Sequence, residues 1–109
     1  MSEAMIIFCT VPDADSGRRL ADVLLSEKAA ACVSLSAAVE SHYVWQGKRE
    51  TAAEVQLLIK TTAERYADVQ RLILANHPYE CPEIAAVSVE EISPAYLAWL
   101  KTDGQPPQG

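Results

Sequence analysis

The segment with the densest set of reactive side chains runs from His77 to Glu83 and reads His-Pro-Tyr-Glu-Cys-Pro-Glu. It holds an imidazole, a phenol, a thiol and two carboxylates within seven positions. A thiolate and an imidazole together suit a soft or borderline metal ion, and copper ranks above zinc in affinity for such donors. The alternative interpretation is a rigid connector, because prolines commonly follow helix ends. Both interpretations stay open at this point.

A helix is predicted before this segment and a strand after it. The pattern Thr61-x-x-Glu64 fits a capping box at the start of the helix. Pro78 disfavours helical geometry in the residue before it, so we expect the helix to end near Asn76. The apolar residues 84–89 predict a strand.

The N-terminal part of the chain predicts a strand and then a helix. Residues 5–11 form a continuous apolar run whose length and β-branching favour a buried strand. Pro12 ends that run. Asp13 or Asp15 then caps a helix that we expect to reach about Lys28.

A long hairpin occupies the middle of the chain. Residues 31–45 alternate in polarity, which predicts one long strand with a single buried face, and Gly47 marks a turn before residues 50–61 return. A loop of three or five residues keeps the apolar residues of both strands on one face of the hairpin, and this register sets His42 opposite Glu54. At about 3.3 Å per residue such a strand spans roughly 50 Å. One subunit of this size does not cover that length, so we expect the hairpin to contact another subunit.

The predicted order of elements is βαββαβ with a final helix that Ser93-Pro94 begins. This is an α+β, ferredoxin-like sandwich with a long β2–β3 hairpin and an extra C-terminal helix. Right-handed crossovers place the last strand beside the first and the third. In this topology the first strand ends at the edge where the second helix ends and the fourth strand begins. We therefore expect four reactive residues to gather at one end of the sheet: Cys9, His77, Cys81 and Glu83.

Composition and charge narrow the class of protein. The chain has 109 residues, which we divide into a single domain over 1–102 and a flexible Gly/Pro/Gln-rich tail over 103–109. The formal net charge of −6 argues against a general nucleic-acid binder. No apolar run reaches the roughly 18 residues of a membrane span. Three cysteines and a start without a basic region favour a cytoplasmic protein.

Motifs for common enzyme chemistry are not found in the sequence. There is no GxxxxGK[ST], GxGxxG or GxSxG pattern, and no Cys-x-x-Cys or His-x-x-x-His pair that would predict a preformed zinc site. His77 with Glu80, Glu83 and Tyr79 could transfer protons, but many loops carry such groups, and we predict a non-enzymatic protein. Cys32 lies on the polar phase of the long strand, where we expect packing under a helix rather than reactivity.

Several stretches, in order and at the right spacing, resemble the divalent-cation tolerance protein family, CutA. The resemblance runs from about Ile6 to Leu100. The matching stretches are Cys9-Thr10-x-Pro12-Asp13, Ala30-Ala31-Cys32-Val33, Tyr43-x-Trp45-x-Gly47-Lys48, Glu54-Val55, Ile59-Lys60-Thr61, His77-Pro78-Tyr79-Glu80-x-Pro82-Glu83 and Tyr96-Leu97-x-Trp99-Leu100.

The resemblance implies a ferredoxin-like subunit assembled as a tight homotrimer through the long hairpins. It also implies a small cytoplasmic protein associated with tolerance of copper and other divalent cations, with no established catalytic activity. The implied trimer resembles that of PII-type signalling proteins, which bind small ligands in clefts between subunits. A PII-like sensor of a small anionic metabolite is therefore the alternative function, by analogy of fold alone.

The resemblance also implies a ligand set for copper. In enteric-type members copper is attributed to the cysteine that closes the first strand and to two histidines before Pro-Tyr. These positions map to Cys9, to His77 and to Asn76, whose amide is a poor copper ligand. Cys81 is our hypothesis for the missing soft ligand, and zinc or another divalent ion is the alternative metal. Further candidate residues of a binding cleft are Tyr79, Glu80, Glu83 and Cys32.

Overall fold

The structure, a computed structural model, describes residues 3–102, so the predicted tail over 103–109 lies outside the described residues. Four strands and three helices follow one another, and a short 3₁₀ turn over Ala63–Arg65 precedes the second helix. The elements are β1 (Ala4–Val11), α1 (Ala14–Ser26), β2 (Cys32–Trp45), β3 (Lys48–Thr62), α2 (Tyr66–Asn76), β4 (Ala85–Ser88) and α3 (Pro94–Lys101).

The four strands form one antiparallel sheet in the order β2-β3-β1-β4. The core lies between one face of this sheet and α1 and α2, whose buried residues pack on alternate residues of β1 and β3. This confirms the α+β, ferredoxin-like βαββαβ fold with a C-terminal helix. Among the described strands, the last one pairs with β1 alone. The prediction that it also lies beside β3 is wrong, because β3 already has β1 and β2 as its two neighbours.

Two of the predicted helix caps are confirmed and one is wrong. Asp13 and Ser93 cap α1 and α3 by accepting backbone N–H bonds at 2.8 Å and 3.3 Å. Thr61, by contrast, lies within β3 and donates its hydroxyl to the carbonyl of Ala29 at 2.6 Å. That buried bond competes with the predicted capping box, and no side chain in the described part of the chain caps the 3₁₀ turn that precedes α2. Within residues 3–102 no helix combines the length and hydropathy needed to cross a membrane.

The hairpin turn is tighter than the three or five residues that we predicted. Only Gln46 and Gly47 connect β2 to β3, with φ angles of 50° and 80°. A turn with both central residues in the left-handed region matches the twist of the flanking strands, which explains the short loop. The register then places His42 opposite Thr51. The predicted pairing of His42 with Glu54 is therefore wrong.

One extra residue interrupts β2 in the middle. Leu35 and Ala38 pair with residues of β3 that are only two positions apart, so β2 contains a β-bulge at this point. A single extra residue reverses the alternation, because successive side chains of a strand point to opposite faces. The prediction of one continuous buried face is wrong for this reason: Tyr43 and Trp45 lie on the sheet face opposite to the core.

The hairpin extends well beyond the rest of the sheet. β1 ends at Val11 opposite Val55, so within residues 3–102 the outer part of β2 and β3 has no third strand beside it. The longest dimension of the described chain is 54 Å, close to the length expected from the sequence. The end of β2 exposes Tyr43, Val44 and Trp45.

Candidate functional site

A cavity of about 590 Å³ lies between the hairpin and the loop that follows α2. The strands line it with Thr10, Ser41, Tyr43, Trp45 and Glu54. The loop lines it with Pro78, Tyr79, Glu80, Cys81 and Glu83. We call this cavity the hairpin cleft. The β-bulge places Ser41, Tyr43 and Trp45 on the same sheet face as Thr10 and Glu54, and all five line the cavity.

The side chain of His77 links the loop after α2 to the end of β1 by hydrogen bonds. Its Nε2 donates to the carbonyl of Thr10 at 2.7 Å, and its Nδ1 accepts the backbone N–H of Tyr79 at 3.0 Å. The two rings of His77 and Tyr79 are tilted against each other with centroids 4.9 Å apart. Both ring nitrogens are thus engaged, and the pattern is that of a neutral imidazole with its proton on Nε2.

Glu54 is the buried carboxylate of the hairpin cleft. It is 8% exposed, and its Oε2 accepts the hydroxyl of Tyr79 at 2.7 Å. Burial raises the pKa of Tyr79, and the hydrogen bond to Glu54 and its negative charge raise that pKa further. Among the described residues no cationic side chain pairs with Glu54. The cleft therefore contains a nearly buried acid whose partner is a neutral phenol.

Cys9 lies in the core beneath this end of the sheet. Its side chain is fully buried, and its Sγ lies 3.8 Å from the carbonyl oxygen of Thr10. Burial, followed by the charges of Glu83 and Glu54, raises the pKa of the Cys9 thiol from 9.0 to about 12. The thiol is therefore protonated at neutral pH, which makes it a weak nucleophile and a weak metal ligand.

The predicted metal ligands gather at one end of the sheet, but they do not form a ready-made metal site. Cys81 is exposed and lines the cleft, whereas Cys9 is buried and both nitrogens of His77 are engaged. Asn76 turns its amide back onto the carbonyl of Leu72 at 2.8 Å. Within the described residues no group of three or more His, Cys, Asp or Glu side chains is placed to hold a metal ion. The donor set as built does not fit copper or zinc.

The other predicted cleft residues divide into two groups. Tyr79, Glu80 and Glu83 line the hairpin cleft. Cys32 does not: it is half-buried opposite Lys60, at the far end of β3 from the cleft. It lies on the sheet face that α1 and α2 leave uncovered, so the expectation that a helix covers it stays a prediction. Its Sγ is 3.9 Å from the hydroxyl of Ser34.

Six lining residues of the cleft were not identified as site residues from the sequence, and three of them, Tyr43, Trp45 and Glu54, carry an aromatic ring or a charge. From the sequence, Glu54 is expected in an ordinary cross-strand pair with His42. Tyr43 and Trp45, on the apolar phase near the hairpin tip, are expected to be packing residues at a subunit contact. Their position in the cleft depends on the β-bulge and the two-residue turn. The sequence pattern carries no clear signal for the bulge, although the aromatic pair near a hairpin end does indicate a contact surface.

The sequence matches the family described as CutA1 divalent ion tolerance protein over residues 5–103. It is 40% identical over 99 residues to the "Divalent-cation tolerance protein CutA" of Yersinia pestis (strain Pestoides F), with 91% of this chain and 83% of that protein covered. It is also 40% identical over 98 residues, 90% of this chain, to the rice "Protein CutA 1, chloroplastic". The chain spans only about half of that relative, 55% of its length.

The fold is shared with solved structures as well. The crystal structure of CutA from Xylella fastidiosa superposes with a TM-score of 0.91 at 42% sequence identity. The match covers 95% of this chain and 100% of that chain. Sequence and fold thus point to the same family along nearly the whole of the described residues.

Proposed function

The chain belongs to the CutA1 divalent ion tolerance protein family, and on that premise we propose that it acts in divalent-cation tolerance as a non-enzymatic homotrimer. The observation that supports the assembly is the hairpin, which extends past β1 and has no third strand beside it among the residues that the structure describes. Copper is the proposed ion, with zinc as the alternative. The proposed compartment is the cytoplasm, which the three free cysteines support.

The exposed apolar surface of the hairpin supports association with further copies of the chain. Tyr43, Val44 and Trp45 are 44%, 68% and 44% exposed at the end of an unpaired two-stranded ribbon. Exposed apolar groups beside open strand edges favour protein–protein contact. The sheet face opposite to the core adds a second apolar surface, where Phe8 and Leu58 pair across the strands and are only partly buried.

Sedimentation analysis of the untagged protein tests the assembly. Three chains of 11.9 kDa give about 36 kDa, and we expect this mass at micromolar concentration. Val44→Glu places a charge in the proposed interface and should lower the mass. Leu74→Glu is the matched control, because Leu74 is 55% exposed on α2, away from the hairpin. A wild-type chain that sediments as a monodisperse monomer contradicts the proposal.

The absence of enzyme activity is proposed from the protonation states of the candidate groups. The buried Cys9 thiol is protonated, and His77 has no free nitrogen to accept a proton. The Tyr79 hydroxyl is held by Glu54 and resists ionisation. An activated nucleophile next to a free base, which covalent catalysis needs, is therefore not formed by these residues.

Copper binding through Cys9, His77 and Cys81 requires a change in the loop, since His77 must leave the carbonyl of Thr10 to offer a nitrogen. We propose Cys81 as the first ligand, because its thiol is exposed at the cleft. The neighbouring carboxylates of Glu80 and Glu83 attract cations to the same loop.

Competition against a chelator of known affinity tests direct metal binding on reduced, untagged protein. We expect one copper equivalent per chain, and an affinity at least about tenfold lower in Cys81→Ser. Cys32→Ser is the matched control, because Cys32 lies away from the cleft. Weak or superstoichiometric binding that Cys81→Ser leaves unchanged contradicts a dedicated site on this loop.

The alternative function is a PII-like sensor of a small anionic metabolite in the clefts between subunits, and the hairpin cleft of the single chain does not favour an anion. Three glutamates line it, and none of its described lining residues is a lysine or an arginine. An anion placed there would meet negative charge from this chain on both walls.

A further inference from the structure

We propose that the hairpin cleft binds a small organic cation, a protonated or quaternary amine, between the carboxylate of Glu54 and the rings of Tyr43, Trp45 and Tyr79. This inference goes beyond the proposed function and does not depend on metal binding or on the role in tolerance.

The size of the cavity suits a small molecule. Its volume of about 590 Å³ falls within the range of roughly 300–1,000 Å³ that is usual for ligand pockets. Its walls combine apolar ring surface with a few polar groups, which is the usual composition of a site that both holds and orients its ligand.

The negative charge of the cavity favours a positively charged ligand. Glu54 is more than nine-tenths buried, and the side-chain hydrogen bond that it makes within the described residues is the one from the neutral Tyr79 hydroxyl to Oε2. A carboxylate in such surroundings is unfavourable without a counter-charge. A cation bound in the cleft supplies that charge, and Glu80 and Glu83 on the opposite wall act in the same direction.

The aromatic rings select an organic cation over a metal ion. Positive charge spread over methyl or methylene groups is attracted to the face of a tryptophan or tyrosine ring within about 6 Å. The rings of Tyr43 and Trp45 both line the cleft. A bare metal ion instead needs several close ligands, and the described carboxylates and thiols do not form such a group.

Calorimetric titration with choline, in the presence of reducing agent and EDTA, tests the inference on the assembled protein. We expect saturable binding. The uncharged isostere dimethylbutanol should bind at least about tenfold more weakly, because it lacks the charge that Glu54 and the rings recognise. EDTA removes metal ions, so a lack of choline binding in this titration is independent of whether the proposed metal binding is correct.

Tryptophan fluorescence locates the bound probe. The chain has two tryptophans, and Trp99 lies in α3, where it stacks on Tyr96. In a Trp99→Phe variant the remaining signal comes from Trp45, and we expect choline to change it with the same affinity that calorimetry measures. A calorimetric signal without any change at Trp45 overturns the assignment of the site.

Two variants carry the decisive comparison. Glu54→Gln keeps an oxygen for the Tyr79 hydroxyl but removes the charge, and Trp45→Leu removes a ring at a partly exposed position. Each should weaken choline binding at least about tenfold, whereas the exposed Glu27→Gln should not change it. If Glu54→Gln fails to fold by circular dichroism, Trp45→Leu decides the test, with sedimentation to show that this variant keeps the mass of the wild-type assembly. Equal binding of the uncharged isostere, no saturable binding, or unchanged affinity in the folded variants overturns the inference.

Discussion

Removing the hydroxyl of Tyr79 should destabilise the loop that forms one wall of the hairpin cleft. The Tyr79→Phe variant deletes one bond, the 2.7 Å donation to Oε2 of Glu54, and keeps the ring that contacts His77. Glu54 then loses its one hydrogen-bond donor among the described residues while it stays 8% exposed.

The magnitude follows from the type of bond and its surroundings. A hydrogen bond to a charged group contributes about 1.5–3 kcal/mol to stability. Water can enter the cleft and replace part of the lost bond, so we expect the lower end of that range. The free energy of unfolding should fall by about 1.5 kcal/mol, which is a shift of several degrees in the melting temperature of a domain of this size.

A double-mutant cycle isolates the bond. Denaturant unfolding of wild type, Tyr79→Phe, Glu54→Gln and the double variant is measured at one chain concentration, because assembly makes stability concentration-dependent. We expect a coupling energy of about 1 kcal/mol between the two positions. A Tyr79→Phe variant as stable as wild type, with a coupling energy within about 0.3 kcal/mol of zero, refutes the argument.

The same bond predicts a dependence on alkaline pH. Burial and Glu54 raise the pKa of Tyr79 above its ordinary value of 10.0 in the folded state. The unfolded chain therefore releases this proton first, so the stability that the phenol contributes is complete below pH 10 and declines as pH rises above it. Tyr79→Phe should show a shallower decline than wild type above that pH.

Three further predictions concern stability. Burial raises the pKa of Cys9 from 9.0 to about 12, so the free energy of unfolding should decline above pH 9 by up to about 1.4 kcal/mol per pH unit. The decline with pH should be less steep in Cys9→Ala. Equal slopes for the two proteins in denaturant titrations contradict this prediction. Gln46 and Gly47 both have positive φ angles, which asparagine and glycine tolerate best. Gln46→Asn should therefore stabilise the hairpin by several tenths of a kcal/mol, and Gly47→Ala should destabilise it by about 1 kcal/mol. Thermal melts that rank the two variants in the opposite order contradict this prediction. The hydrogen bond from the backbone of Ser16 lowers the pKa of Asp13, so Asp13→Ala should lower the melting temperature at neutral pH. That difference should shrink as pH falls below about 4; a difference that persists in acid excludes the charged cap as its cause.

The elements of the fold could be predicted from the sequence because their signals are local. The bounds of β1, the caps Asp13 and Ser93, and the end of α2 at Asn76 all follow from residues within a few positions of one another. Helix periodicity, capping side chains and the restriction before Pro78 act over one or two turns, so no knowledge of the tertiary fold was needed.

The pairing of the long hairpin could not be predicted in the same way. A bulge adds one residue to β2, and the two-residue turn sets the register, so Tyr43 and Trp45 reach the face opposite to the core. Strand register depends on contacts between residues far apart in sequence, and one extra residue moves every later side chain to the other face.

The sequence by itself determined the family, the order of the elements and the convergence of Cys9, His77 and Cys81 on one end of the sheet, because chain order and crossover geometry decide which ends meet. Only the tertiary structure decided what these groups can do. It buries Cys9, engages both nitrogens of His77, and places Glu54 beside three aromatic rings in one cleft. Protonation and free lone pairs depend on burial and on hydrogen bonds from distant segments, which no local pattern of residues contains.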